Sequence, residues 1–178
     1  MSNNHVLARS NDAALGEDIM HTVSSYCSST AYVAGNLTDC VPIDFSGNPN
    51  TVDAAIAEIT PDVASDGSIM DIGILTPAPA VPALQMGVKK SGRTTGLTKS
   101  KIGSINVNVN VNYGGGNIAY FTDQLLINGG KFSAGGDSGS LIVTNTDNCP
   151  QPVGLLFAGG SYGTIANPIS DVLNLKLA

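Results

Sequence analysis

GGDSGS, residues 135–140, is the stretch of this sequence that says most about fold and chemistry. Its glycines allow a tight turn, which can present Ser138 as a nucleophile beside backbone N–H groups that stabilise a developing oxyanion. A serine hydroxyl is a weak nucleophile, so it also needs a neighbouring base to accept its proton. In a chain with 21 glycines, an ordinary Gly/Ser turn is the competing interpretation. The hypothesis therefore depends on finding the partner residues elsewhere in the sequence.

The search for a base is short, because the chain has only two histidines, His5 and His21. His5 lies in SNNHVLA, whereas His21 lies in a Ser/Thr-rich stretch that we expect at the surface. Such a base is usually oriented by a third group, often a carboxylate. Asp53, in VDAAIAEI, is the best candidate because it alone precedes an apolar run that could carry it into a cleft. The alternative carboxylates are those of Asp39, Asp44 and Asp62.

The chain order His5, Asp53, Ser138 is the order found in the chymotrypsin fold, and it differs from the orders in subtilisin and the α/β-hydrolases. At these residues the sequence resembles the chymotrypsin-like serine peptidases, in particular the bacterial branch that includes the HtrA/Deg proteases. SNNHVLA, VDAAIAEI and GGDSGS resemble the stretches that carry the His, the Asp and the nucleophile in that family. KSGRTTGLT, residues 90–98, resembles the opening strands of the family's second barrel.

The resemblance implies a serine endopeptidase that hydrolyses peptide bonds through an acyl-enzyme and needs no cofactor. Its substrate would be a polypeptide. His5 would take the Ser138 proton and return it to the leaving amine, while Asp53 would hold the His tautomer. The N–H groups of Gly136 and Ser138 would form the oxyanion hole.

The resemblance also implies a substrate pocket beside the nucleophile. Counted back without gaps from Ser138, the residue that the family places at the pocket base is Phe132. The expected wall contains Ala158, Gly159 and Gly160, which are small and uncharged. Because a buried cation needs a partner that this pocket lacks, we expect cleavage after small or medium apolar residues rather than after Arg or Lys.

One departure from the family concerns the start of the chain. Family members place barrel strands before the His motif, whereas few residues precede His5 here. We therefore expect an incomplete first barrel, which a missing N-terminal segment or a partner chain would complete. The alternative function is that of a catalytically inactive fragment or scaffold that acts as a protein-binding module.

A second departure concerns Asp137, the residue before the nucleophile. In trypsin-like zymogens this residue pairs with a new N-terminus that cleavage releases. The chain has no such activation site, so we expect a different internal partner for Asp137.

Charge argues against nucleic acid as a partner. The chain carries 8 Lys+Arg against 14 Asp+Glu, a net charge of −6, which leaves no basic stripe to neutralise phosphates. We interpret its one basic cluster as a solvated face. The cluster consists of Lys89, Lys90, Arg93, Lys99 and Lys101.

No run approaches the roughly 18 apolar residues of a membrane span, and MSNNHVLAR lacks the apolar core of a signal peptide. The sequence therefore predicts no membrane partner and leaves localisation open. The three cysteines have no metal-ligand spacing, so no metal site is predicted. Cys27 and Cys40 could form a disulfide, but the cysteine count leaves the redox compartment undecided.

Short apolar runs separated by Gly, Pro and Asn predict an all-β fold. Together with the resemblance, the pattern predicts two antiparallel β-barrels of the six-stranded type, of which the first is incomplete. It also predicts a short C-terminal helix over 170–175. We assign 1–75 to the first lobe, 76–86 to a linker because TPAPAVP contains three closely spaced prolines, and 87–178 to the second lobe. Residues 105–113, where Ile, Val and Tyr alternate with Asn, predict a strand with one wet face. Other strands are expected at 32–34, 41–45, 118–121, 124–127, 140–143 and 153–158. Residues 54–59 could form either a strand or a helix. Residues 3–8 are predicted to form the end of a strand and a turn.

Overall fold

Ten β-strands and two short helices form the described part of the chain, residues 1–25 and 28–174 of a computed structural model. The all-β prediction is therefore confirmed. In chain order the elements are α1 (Asn4–Leu7), β1 (Asp18–Ser25), β2 (Ser28–Cys40), β3 (Pro49–Asn50), β4 (Ala55–Ile59), β5 (Gly87–Gly92), β6 (Gly96–Gly114), β7 (Asn117–Asn128), β8 (Leu141–Thr144), β9 (Pro152–Gly160), β10 (Gly163–Pro168) and α2 (Ile169–Asn174).

Strands β5 to β10 close into a six-stranded barrel. They lie in the order β10-β9-β8-β5-β6-β7, and β10 also pairs with β7, so the sheet returns on itself. All of these pairings are antiparallel, while the short β3 adds a parallel partner to the outer side of β7. The interior is apolar because alternate residues of each strand point inward. It contains Val88, Ile102, Leu125, Ile127, Phe132, Ile142, Val153, Leu156 and Ala166.

The N-terminal sheet is much smaller. Among the described residues it contains three strands in the antiparallel order β1-β2-β4. Its buried core is limited to Ala8, Leu37 and Ala55. Less apolar surface is removed from water here than in the barrel, so this sheet contributes less hydrophobic stabilisation.

The alternation is confirmed over 106–113, because the four asparagines of β6 from Asn106 to Asn112 are exposed while the intervening side chains are partly covered. Ile105 is exposed as well, because the pairing of β6 with β7 is irregular between Ser104 and Val107. Residues 54–59 resolve as strand, in β4. The two runs at 118–121 and 124–127 belong to one continuous strand, β7. The C-terminal helix is present as α2 and packs against the barrel through Ile169 and Val172.

Two local predictions are wrong. Residues 4–7 form the short helix α1 rather than the end of a strand. Residues 41–45 contain no strand, because the Asn11 side chain pairs with the backbone of Ile43 in place of a neighbouring strand. Ile43 and Phe45 nevertheless pack into an apolar cluster with Phe121.

The Pro-rich segment 76–82 forms no regular element. Its Thr76 and Ala80 N–H groups donate to the carbonyls of Pro150 and Pro152, which tie the segment to the barrel. Within the described ranges, neither helix is long and apolar enough to cross a membrane. The suggested Cys27–Cys40 disulfide involves Cys27, which lies outside the described residues.

Candidate functional site

Helix α1 carries His5 and is attached by the side chains of the two asparagines at its start. Asn3 Nδ2 donates to the Asp53 carbonyl at 2.9 Å, and Asn4 Nδ2 donates to the Val41 carbonyl at 2.7 Å. Both asparagines are fully buried. Buried amide hydrogen bonds of this kind hold a helix that is too short to be stable by itself.

His5 and Asp53 form a hydrogen-bonded pair. His5 Nδ1 lies 2.5 Å from Asp53 Oδ2, and the His5 backbone N–H donates to Asp53 Oδ1 at 3.1 Å. The Asp53 side chain is fully buried, while the His5 side chain is 22 % exposed. Because a carboxylate only accepts, the hydrogen lies on Nδ1 and the other ring nitrogen, Nε2, is left free to act as a base.

The alternative carboxylates have other contacts. Asp44 lies in a turn, where hydrogen bonds from Asn48 and Ser46 lower its pKa to about 2. Asp39 accepts from the N–H of Cys40, and Asp62 is exposed. None of the three is bonded to a histidine in the described part of the chain.

A buried amide network connects the Asp53 segment to the second barrel. The Asp53 N–H donates to Asn167 Oδ1 at 3.1 Å, and Asn167 Nδ2 donates to Gln124 Oε1 at 2.7 Å. Gln124 in turn donates to the Thr51 carbonyl at 2.8 Å. Asn167 and Gln124 are completely buried on β10 and β7. The barrel thus sets the position of the carboxylate.

The loop that carries Ser138 is organised by Asp137. Its carboxylate accepts from the N–H groups of Thr94, Thr95 and Ala134 and from the Thr95 hydroxyl. Burial alone would raise the pKa of Asp137, but these donors outweigh it and hold the pKa well below its ordinary value. The carboxylate therefore stays charged and holds the loop at neutral pH.

Lys90 is the internal cation that faces Asp137. Its Nζ lies 3.3 Å from Asp137 Oδ2 in a pair whose side chains are both fully buried. The ammonium group also bonds to the Thr95 hydroxyl, donates to the Gly96 carbonyl at 3.1 Å and lies 5.8 Å from the centre of the Phe132 ring. The sequence-based expectation of an internal partner for Asp137 thus has a specific candidate.

The interpretation of the basic cluster as a solvated face is wrong for two of its members. Lys90 is 0 % exposed and Lys89 is 7 % exposed, with its Nζ donating to the Thr146 carbonyl. Lys90 lies two residues after the buried Val88 on β5. Because side chains alternate along a strand, this spacing predicts that the Lys90 side chain points inward like that of Val88. Arg93 and the other two lysines are exposed.

Hydrogen bonding divides the N–H groups of the loop into two sets. The N–H groups of Asp137, Gly139 and Ser140 all donate to backbone carbonyls. By contrast, those of Gly135, Gly136 and Ser138 have no acceptor among the described residues, and Gly136 and Ser138 are the two that flank Asp137. Gly136 has a φ of +95°, and a Cβ there would lie 2.6 Å from Thr94 Oγ1. Glycine is therefore required at 136.

Two neighbouring cavities lie beside Ser138 and His5. One, of about 390 Å³, includes Ser138, Ala134 and Gly160 in its lining, and the other, of about 400 Å³, includes His5. Both share the wall formed by residues 157–159, which includes Ala158 and Gly159. No hydrogen bond joins His5 to Ser138 within the described ranges.

Phe132 does not line the cavity as predicted. It is 3 % exposed and belongs to the barrel core. Its neighbour Ser133 faces the cavity instead, with Oγ 2.6 Å from Thr164 Oγ1. The residue that faces the cavity is thus one position after the predicted one. At this place the cavity has the Ser133 hydroxyl, paired with that of Thr164, instead of the apolar Phe132 ring.

His21 lies on β1 with an exposed side chain, and its ring packs edge-on against Tyr32 at a centroid distance of 5.2 Å. It makes no contact with the Asp53 carboxylate. Across the described residues, no group of three His, Cys, Asp or Glu side chains is placed to hold a metal ion.

The architecture is similar to several solved serine proteases. Protease A of Thermobifida fusca is 21 % identical over 92 % of this chain and 77 % of its own, with a TM-score of 0.59. A Nocardiopsis protease is 21 % identical over 93 % of this chain and 78 % of its own, also at 0.59. A glutamic acid-specific serine protease is 22 % identical over 80 % of this chain and 71 % of its own, at 0.57. The fold is therefore chymotrypsin-like.

No curated protein sequence matches the chain. A family profile does match, over residues 30–166, which is most of the chain. The profile describes the Nal1 C-terminal domain. The matched segment includes Asp53 and Ser138. The chain therefore belongs to the Nal1 C-terminal domain family.

Proposed function

We propose that this protein is a serine endopeptidase whose nucleophile is Ser138. The observation that carries the proposal is the hydrogen-bonded pair of His5 and the buried Asp53, because it supplies a base with a defined tautomer. His5 lines a cavity that shares the wall 157–159 with the cavity lined by Ser138. The chymotrypsin-like fold supports the same class of chemistry.

In the proposed reaction, Ser138 Oγ attacks the substrate carbonyl carbon while His5 Nε2 accepts the hydroxyl proton. The N–H groups of Gly136 and Ser138 bind the resulting oxyanion. The C–N bond then breaks as His5 returns the proton to the leaving amine, which leaves an acyl ester on Ser138. Water, deprotonated by His5, hydrolyses that ester and restores the serine. Asp53 stabilises the imidazolium in both steps.

Two features of the nucleophile loop support this proposal. The Lys90–Asp137 pair orders the loop from within the barrel, so no newly released N-terminus is needed. The unpaired N–H groups of Gly136 and Ser138 are the donors that an oxyanion hole requires. A missing hydrogen bond between His5 and Ser138 is compatible with catalysis, since such bonds often shorten only when substrate binds.

The cavity beside Ser138 favours small or medium uncharged side chains. No charged side chain is among the described residues that line it, so an Arg, Lys or Glu of the substrate would find no oppositely charged partner. The glutamic acid-specific protease uses a histidine triad in substrate binding, whereas this chain has only two histidines in total. We therefore propose cleavage after residues such as Ala, Val or Leu.

Peptide hydrolysis by the wild-type chain and three variants tests the function. We expect Ser138→Ala and His5→Ala each to lower kcat by about 10⁴-fold or more, as triad removal does in other serine proteases. His21→Ala is the matched control for His5→Ala and should retain activity within about 2-fold, because exposed residues away from a site have small effects. Equal effects of the two histidine variants would contradict the assignment of the base.

A peptide library with one varied position tests the preference. Burial of an apolar side chain gains about 1.5–3 kcal/mol, so we expect products that end in small or medium apolar residues. Dominant cleavage after Arg, Lys or Glu would refute the proposed pocket without refuting the proposed function.

A protein-binding module without catalysis is the second candidate. The lack of a hydrogen bond between His5 and Ser138 favours it. A folded wild-type chain that hydrolyses no peptide and retains a bound polypeptide intact would support this candidate. Membership of the HtrA/Deg branch remains a prediction from sequence.

A further inference from the structure

Tyr113 of the second barrel reaches the carboxylate of the proposed triad. It lies near the end of β6, immediately before the glycine turn at 114–116. Its hydroxyl donates to Asp53 Oδ2 at 2.9 Å. The ring packs edge-on against His5 and Phe45, at centroid distances of 5.7 and 5.6 Å.

In the part of the chain that the structure describes, two residues donate hydrogen bonds to the Asp53 carboxylate. His5 donates from its backbone N–H to Oδ1 and from Nδ1 to Oδ2. Within the described ranges, the Tyr113 hydroxyl is the only donor to this carboxylate that does not belong to His5. The Asp53 side chain has no exposed surface, so it depends on donors from the protein.

The Tyr113 hydroxyl is a permanent donor. Burial, followed by the negative charge of Asp53 and the hydrogen bond to it, raises the pKa of Tyr113 far above its ordinary value. The phenol therefore keeps its proton. A donor at the oxygen shared with His5 stabilises the carboxylate and reduces the negative charge that faces the imidazole ring.

We propose that Tyr113 is a positioning residue for the Asp53–His5 pair: its hydroxyl, which donates to Asp53 Oδ2, holds the buried carboxylate in the orientation that accepts from both the backbone N–H and the ring of His5. This inference rests on the proposed function. Tyr113 acts through Asp53, and the catalytic step itself remains with His5 and Ser138.

Tyr113→Phe is the direct test, because it removes the hydroxyl and keeps the ring that lines the cavity beside His5. A hydrogen bond to a charged group is lost, so we expect kcat to fall about 10- to 100-fold while KM stays within about 3-fold. The acid limb of the kcat/KM profile should move to higher pH by at least about 0.5 unit, since the imidazolium then faces more negative charge.

Two further variants serve as controls. Tyr120→Phe makes the same change on the neighbouring strand β7 and should leave rate and pH profile unchanged. Phe45→Leu disturbs the packing around the Tyr113 ring but keeps the hydroxyl, so its acid limb should stay at the wild-type pH. An acid limb that moves equally in Phe45→Leu and Tyr113→Phe would reduce Tyr113 to a packing role and overturn the proposal.

Proton NMR gives a readout that does not require activity. The Nδ1 proton of His5, identified by its loss in His5→Ala, should shift or exchange faster in Tyr113→Phe and stay unchanged in Tyr120→Phe. If the wild type hydrolyses nothing while this resonance responds, the proposed function fails and the positioning role stands. If Tyr113→Phe changes neither the resonance nor the acid limb, the positioning role is overturned.

Discussion

The three-stranded N-terminal sheet and the closed six-stranded barrel carry different parts of one candidate site. The barrel has a large apolar interior and orders the Ser138 loop with its own residues, Lys90 and Asp137. The N-terminal sheet has a buried core of three small or medium side chains, and residues of the barrel hold the Asp53 segment beside it. His5 on α1 and Asp53, just before β4, thus lie beside a sheet with a small core, and the barrel contributes to the position of Asp53 through Asn167 and Tyr113.

Removing the Lys90 ammonium group from the buried Lys90–Asp137 pair should have the largest effect on the free energy of unfolding. Lys90→Met leaves Asp137 charged and buried without its counter-ion, so we expect a loss of about 3–5 kcal/mol in the free energy of unfolding. Urea denaturation measures this. Lys99→Met, an exposed site on β6, is the control and should change stability by no more than about 0.5 kcal/mol.

Adding Asp137→Asn sharpens the result. The double variant Lys90→Met/Asp137→Asn contains no uncompensated charge, so it should be more stable than Lys90→Met alone. If Lys90→Met unfolded at the wild-type urea concentration, the pair would have no role in holding the nucleophile loop.

Removing the Asn167 side chain, which connects the Asp53 segment to the barrel, should have the next largest effect on stability. Asn167→Ala leaves the buried Asp53 N–H and Gln124 Oε1 without partners, at a cost of about 2–3 kcal/mol. We expect peptide hydrolysis to fall in parallel, because the carboxylate is then free to move. Asn148→Ala, at an exposed loop position, is the matched control. Full activity in Asn167→Ala would show that the Asn167 side chain is not needed to position Asp53.

Lowering the pH should reveal a smaller contribution of the Asp137 carboxylate to the free energy of unfolding. Its folded pKa is depressed, so its stabilising effect is complete above the ordinary value of 3.8 and is lost as the pH falls towards the folded pKa. One such group changes stability by at most about 1.4 kcal/mol per pH unit. Unfolding measured between about pH 6 and pH 2 should be less pH-dependent in Asp137→Asn than in the wild type. Equal slopes would contradict a charged, hydrogen-bonded Asp137.

Local patterns in the sequence were enough to predict many of the strands, although not β1 or β10, and to select three candidate site residues. Alternation along β6 identified its wet face. Short motifs selected His5, Asp53 and Ser138, of which the first two are hydrogen-bonded while Ser138 lines the cavity next to the one beside His5. Each of these signals lies within a few consecutive residues.

What the sequence could not predict depends on contacts between distant segments. Tyr113 is 60 positions from Asp53, and nothing in the Val/Asn alternation distinguishes it from its neighbours as a hydrogen-bond donor. Lys90 was hidden in a basic cluster, although its strand parity with Val88 pointed inward. Residues 41–45 have strand-like composition, but the Asn11 side chain takes the backbone hydrogen bonds of Ile43.

Covalent labelling by a fluorophosphonate probe tests the central claim most directly, because the probe reacts with a serine only when a base and an oxyanion hole activate it. We predict one adduct per chain, located by peptide mass spectrometry on Ser138. It should be lost in Ser138→Ala, slowed by orders of magnitude in His5→Ala and retained in His21→Ala. A folded wild-type chain that stays unlabelled, or an adduct that forms equally fast without His5, would contradict the account.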